Sequence, residues 1–200
     1  MELSDALRAR RMVRSFRTDP IDPARVDRVL DAGRRAPSAG HSQGWAFVVL
    51  EGADETARYW DATLPAARRD TFPWPGLLRA PVLVIPCARP GHYVERYAEP
   101  DKARTGLGAG TDAWPVPYWF VDSGMATMAM LLQAVDEGLG ACFFGIFEHE
   151  PAVRVALGIP DDVAPVGTIA LGRPDGDDRP SRSTRRGRRS LDEIVHRSGW

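Results

Sequence analysis

Residues 122–140, DSGMATMAMLLQAVDEGLG, constrain the fold more than any other stretch. On a helix of 3.6 residues per turn their apolar side chains fall almost all round the cylinder. That pattern marks a helix buried at the centre of a domain, not one laid on its surface. Asp122 or Ser123 can cap its start and Gly138 can stop it. Met125, Met128 and Met130 read as core filler within it.

Other elements must surround such a helix. The apolar runs at Trp45–Glu51, at 80–88 (APVLVIPCA) and at 166–172 (VGTIALG) read as buried strands, and 141–147 (ACFFGIF) as strand or extended chain. Residues 22–36 read as a helix, with Asp22 as cap, Pro23 in its first turn, and Val26, Val29 and Leu30 on one face. Shorter helices are predicted over 3–12, over 54–70 with a break near Pro65, and in EPAVRVALGI. Strands alternate with helices, so the class is α/β or α+β. A chain of 200 residues with 44% apolar content suits one domain over 1–200 with a sizeable core.

Residues 89–118 show no clear period and are too long for a plain connector, which predicts a lid or insertion. They carry Tyr93, Tyr97, Trp114 and Tyr118, with Trp119 just beyond. After 173 the chain is polar and Arg-rich, an extension over 175–200 with a short amphipathic piece at LDEIVHR.

Much chemistry is excluded. No GxGxxG, GxxxxGK[ST] or GxSxG occurs. His41, His92, His149 and His196 are scattered, so no metal site is expected. Cys87 and Cys142 lie in apolar runs and imply no disulfide. A net charge of −1 argues against a polyanion-binding protein. No apolar run approaches the ~20 residues that span a bilayer, and no signal peptide is seen. The expectation is a cytoplasmic protein with neither membrane nor nucleic acid as partner.

Three polar stretches remain: RARRMVR (8–14), PSAGHSQG (37–44) and RSTRRGRR (182–189). The middle one precedes a core strand and is longer than a turn requires, yet it is rich in donors and poor in packing atoms. Arg forks bind phosphate bidentately, so one phosphate held from both ends of the chain would account for the other two.

RRMVRSF, APSAGHSQGWAFVVL, GLGACFFGIF and LGRP followed by an Arg-rich tail stand in the order and at the separations found in the nitroreductase-like flavoproteins, which this chain resembles over nearly its whole length. The resemblance implies an α+β fold: a central, mainly antiparallel sheet flanked by helices, in an intertwined homodimer with two FMN at the interface. It implies that Ser38, Ala39, His41 and Gln43 of one subunit meet the FMN held mainly by the other. Arg10 and Arg11 would lie at the phosphate and ribityl end, with Met12 beside them and Arg14 near the pyrimidine edge of the ring. Arg186 and Arg188 would also hold the phosphate, and backbone at Phe144 and Gly145 would approach N5. His41 replaces the family's usual Asn, Gly44 its usual Pro, and Met12 a common Ser.

The function implied is an oxidoreductase in which NAD(P)H reduces FMN and an aromatic or conjugated acceptor (nitroaromatic, quinone or activated alkene) then reoxidises it in a ping-pong cycle. No side chain serves as nucleophile, because the cofactor carries the hydride chemistry. Two alternatives stay open. One is a biosynthetic flavin dehydrogenase or oxidase, or an F420-linked reductase, of the same fold. The other is a flavin- or nucleic-acid-binding protein without turnover.

Overall fold

A computed structural model describes residues 1–179 and 181–200; residue 180, within the expected 175–200 extension, lies outside the described residues. In chain order the elements are α1 (Leu3–Ala9), α2 (Pro23–Arg34), β1 (Trp45–Glu51), α3 (Gly52–Thr63), α4 (Ala66–Arg69), β2 (Val82–Ala88), α5 (Pro90–Ala98), α6 (Tyr118–Asp136), β3 (Gly140–Phe144), α7 (Glu150–Leu157), β4 (Ala164–Pro165) and β5 (Thr168–Gly172).

The strands form one sheet in the order β1-β2-β5-β3, with β4 paired to β2. Every pairing between these strands is antiparallel, so the class is α+β, not α/β. Phe47 opposes Pro86, Val84 opposes Ile169, and Cys142 opposes Ala170. β2 is buried along its whole length, because helices cover both faces of the sheet. Its side chains alternate between them, as the two-residue period of a strand requires. Val82 and Val84 join Val26 and Val29 of α2 and Met130, Leu131 and Ala134 of α6. Leu83, Ile85 and Cys87 join Tyr59 and Trp60 of α3 and Val153 of α7.

The N-terminal segment is the structural link to the site. α1 ends at Ala9, short of the expected 12, because the next residues pair instead with the outer strand β3. Met12 makes a parallel bridge with Ala141, and Val13 N–H donates to the Ala141 carbonyl at 2.9 Å. Phe16 then bridges Pro174, and Arg17 N–H donates to the Arg173 carbonyl at 2.9 Å, so the start of the tail runs beside the start of the chain.

Other expectations are corrected. α6 begins at Tyr118 behind Pro117, so Asp122 and Ser123 are interior helical residues and cap nothing. Met130 is core, but Met125 and Met128 are each 37% exposed and, with Phe120 and Val121, leave an apolar strip on the surface of the chain. The 54–70 segment starts earlier, at Gly52, and divides at Leu64–Pro65 into α3 and α4. Residues 89–118 contain a regular helix, α5, which opens on Pro90 and buries Tyr93. Short 3₁₀ turns continue from there to Ala113. The run 141–147 is strand only to Phe144 and then turns sharply, with Phe147 at φ 49°. The 191–197 piece is a single 3₁₀ turn, Leu191–Glu193, with its apolar side chains exposed.

Candidate functional site

Where β3 ends, the N-terminal segment, α3 and the 72–77 loop enclose a cleft of about 450 Å³. Arg14, Tyr59, Trp60, Thr63, Phe72, Trp74, Cys142, Phe144 and Gly145 are among its walls. Arg14 reaches it because its neighbours are tied down. Its N–H donates to Asp178 Oδ1 at 2.7 Å, and its Nη1 donates to the Met12 carbonyl at 3.1 Å. The guanidinium lies over the Trp74 ring, 5.6 Å from the centroid, a stack that favours a planar cation. Trp60 and Phe144 stack at 5.9 Å and 12° to form an aromatic wall.

This wall holds an unusual polar atom. Trp60 Nε1 is buried without a hydrogen-bond partner among the described residues. Gly145 contributes bare backbone; a Cβ there would lie 2.4 Å from the Phe147 ring. Tyr59 and Cys142 stay neutral. Burial pushes the Tyr59 phenol up to about 12, against hydrogen bonds with Thr168 and Thr63. Burial also pushes the Cys142 thiol up to about 11, with Arg14 opposing it, so the cysteine is no ready nucleophile. Among the described residues no group of three His, Cys, Asp or Glu could hold a metal ion. No helix there is long and apolar enough to cross a membrane.

The 38–43 loop sits elsewhere on the chain. Gly40, His41 and Gln43 have φ of 60°, 58° and 48°. Left-handed backbone is free for glycine and strained for the other two, so the surroundings must enforce it. Ser38 Oγ accepts from Gln43 N–H at 2.9 Å, and Ser42 Oγ donates to the Ala39 carbonyl at 2.7 Å. Arg96 Nε donates to the Gly40 carbonyl at 2.9 Å. The hydrogen bonds of Arg96 to Asp101 raise its pKa, so it remains a cation. Asp122 Oδ2 accepts from Ala39 N–H at 2.8 Å and from Tyr93 O–H at 2.8 Å. The side chains of His41 and Gln43 meet each other, Nε2 to Nε2, at 2.9 Å and are otherwise outward. Beside the loop Ala39, Tyr97, Leu107, Trp114, Pro115, Val116 and Tyr118 line a second cleft of about 370 Å³.

Of the residues singled out in the sequence, the structure therefore gathers Arg14, Phe144 and Gly145 in one cleft and Ser38, Ala39, His41 and Gln43 in one loop at another. Met12 packs on β3, its Sδ 3.3 Å from the Phe143 N–H. Arg10 is half-buried where α1 ends, and Arg11 is exposed nearby. Arg186 and Arg188 are exposed on the tail, and the first cleft includes none of these four. No ion pair among the described residues engages any of the four. Trp60, Phe72 and Trp74 line the cleft without local signal, since each is an aromatic residue at an ordinary core-facing position. Asp122 did carry one: it is the lone carboxyl in the first half of an apolar helix.

The chain is an antiparallel α+β sheet sandwiched by helices, with a cationic, aromatic cleft at the end of its outer strand. The match to the Nitroreductase family over residues 7–173 shows that the chain belongs to that family and is an oxidoreductase. Among similar sequences is an NADH dehydrogenase of Thermus thermophilus, 29% identical over 199 residues, covering 90% of this chain and 91% of that one. The fold also matches a nitroreductase family protein from Streptococcus pneumoniae, with TM-score 0.74, 21% identity, and coverage of 98% and 99% of the two chains. An FMN-dependent nitroreductase from Clostridium difficile matches with TM-score 0.67 and 19% identity, covering 98% of each chain.

Proposed function

We propose that the chain is an FMN-dependent enzyme that takes reducing equivalents from NAD(P)H and passes them, in a ping-pong cycle, to a small aromatic or conjugated acceptor. The observation that carries this reading is the first cleft: a stacked Arg14 guanidinium and a bare backbone at Gly145 beside the stacked rings of Trp60 and Phe144. Those residues fit the isoalloxazine ring of FMN, which has a flat apolar body and a carbonyl-rich edge. The name of the Clostridium difficile neighbour, an FMN-dependent nitroreductase, points the same way.

Bound FMN supplies the hydride chemistry, so the protein needs no nucleophile. The chain's own residues bind, orient and exclude water. Arg14 would hold a positive charge beside the pyrimidine edge of a bound flavin ring and so favour its reduced form, with Tyr59, Trp60 and Phe144 lining the site. Arg10, Arg11, Arg186 and Arg188, free of ion pairs among the described residues, are available for the phosphate. A homodimer completes the site: Ser38, Ala39, His41 and Gln43 of one subunit meet the FMN of the other. The exposed Phe120, Val121, Met125 and Met128 of α6 supply an apolar surface for that pairing. Residues 89–118 form the cover of the acceptor side, with Tyr97, Trp114 and Tyr118 lining it.

The test is direct. The purified protein should be yellow, release FMN rather than FAD on denaturation, and sediment as a dimer. A colourless protein that cannot be reconstituted with FMN, or a monomer that retains it, refutes the reading.

A further inference from the structure

The 38–43 loop raises a physical problem that its own sequence does not solve. Two non-glycine residues within three, His41 and Gln43, are left-handed, and such backbone persists only where the surroundings over-determine it. Helices α5 and α6 provide the surroundings. Tyr97 packs so closely on Gly40 that a Cβ there would lie 2.7 Å from its ring, and Tyr93 packs likewise on Gly44 at 2.3 Å. Arg96 holds the Gly40 carbonyl. At the centre of the clamp is Asp122, 1% exposed, whose Oδ2 takes both the Ala39 N–H and the Tyr93 O–H.

A carboxyl group here is expensive. It makes no ion pair among the described residues, and its Oδ1 is buried with no partner. Its neighbours Ser123 and Thr127 spend their hydroxyls on the helix's own carbonyls, Trp119 and Ser123. An apolar side chain at the same position would avoid that burial cost. What Asp122 supplies instead is one oxygen that ties the first residue of the loop's turn to the buried tyrosine of α5.

The geometry points to Asp122 as the positioning residue of the 38–43 loop: its Oδ2, bridging Ala39 and Tyr93, holds His41 and Gln43 in their left-handed conformations and sets how the loop presents itself at the cofactor. The cofactor clause rests on the reading that this loop meets FMN.

Amide hydrogen exchange of the purified full chain separates the two parts. In Asp122→Ala, exchange across 37–44 should rise at least about tenfold relative to wild type, while β1 and β2 stay within about twofold. Asp122→Asn keeps an acceptor oxygen and should return the loop to within about threefold of wild type. Ala39→Pro deletes the donor at the other end of the bond and should loosen the loop as Asp122→Ala does, which keeps the test available if Asp122→Ala does not fold. Loop exchange that is unchanged in the alanine or proline variant, or raised equally over loop and sheet, overturns the positioning role. FMN titration of the same variants should show about tenfold weaker binding in Asp122→Ala, restored in Asp122→Asn. A loosened loop with unchanged FMN affinity leaves the clamp standing and overturns the reading that the loop meets the flavin.

Discussion

Gly44 sits so close to the Tyr93 ring that no side chain fits there, and the cost of adding one can be measured. A Cβ at residue 44 would lie 2.3 Å from Tyr93 Cε2, 2.8 Å from Cδ2 and 3.0 Å from the Arg89 carbonyl oxygen. An ordinary carbon contact needs about 3.5–4.0 Å, so the ring would have to retreat by more than about 1 Å. It has nowhere to go. Tyr93 is fully buried, with Trp114 and Trp119 edge-on at 5.8 and 6.1 Å, and its hydroxyl is held by Asp122. Gly44→Ala therefore either overpacks the cluster, at about 1–3 kcal/mol, or expels the ring and leaves a buried polar group unpaired, at about 1–3 kcal/mol. Either route puts the loss at about 1–3 kcal/mol, or roughly 2–12 °C in Tm for a chain of this size. Urea and thermal unfolding of FMN-free Gly44→Ala, Tyr93→Ala and the double variant form a cycle. Removing the ring should make the extra methyl nearly harmless, with a coupling energy of about 1–3 kcal/mol. A stable Gly44→Ala, or zero coupling, refutes the argument that the tyrosine occupies the space a side chain at residue 44 would need.

Arg10→Ala and Arg188→Ala should each weaken FMN binding about ten- to a hundredfold, the worth of a charge-assisted phosphate contact; unchanged affinity in both would move the anion site elsewhere. Hydrogen bonds from Arg28 pull the Glu137 carboxyl down to about 2 from 4.5. A depressed folded-state pKa contributes stability above the unfolded value that is lost as pH falls through the folded one, so wild type should lose more stability than Glu137→Gln between about pH 4.5 and about pH 2 in denaturant titrations. Equal loss in both proteins would show that the pair is screened away. Deleting residues 105–112 should leave FMN bound and raise KM for an organic acceptor much more than for ferricyanide. Equal effects on both, or loss of folding, would make the segment a structural brace.

Local chemistry determined the elements whose pattern is local. Trp45–Glu51 is a strand with the bounds its apolar run announced, and α2 starts at Pro23 behind Asp22, whose side chain accepts from Ala24 N–H at 2.9 Å. The break at Pro65 follows from the missing N–H and fixed φ of proline. PSAGHSQG also reads as donors with little to pack, and its turn is held by hydrogen bonds at Ser38 and Ser42. The tertiary structure decided the rest. α5 escaped notice because it is only nine residues long, opens on Pro-Gly and is set in a stretch of turns and charges. Asp122 looks the same in sequence whether it caps a helix or sits inside one; only the start of α6 four residues earlier, and the arrival of Ala39 and Tyr93, turn it into a clamp. The Arg14 cleft joins residues 14, 60, 74 and 144, which no window along the chain contains. Secondary structure is specified over a few residues by backbone sterics and hydrophobic period, whereas a site is made where distant segments are packed together, and that is settled by the sheet order and the helices that cover it.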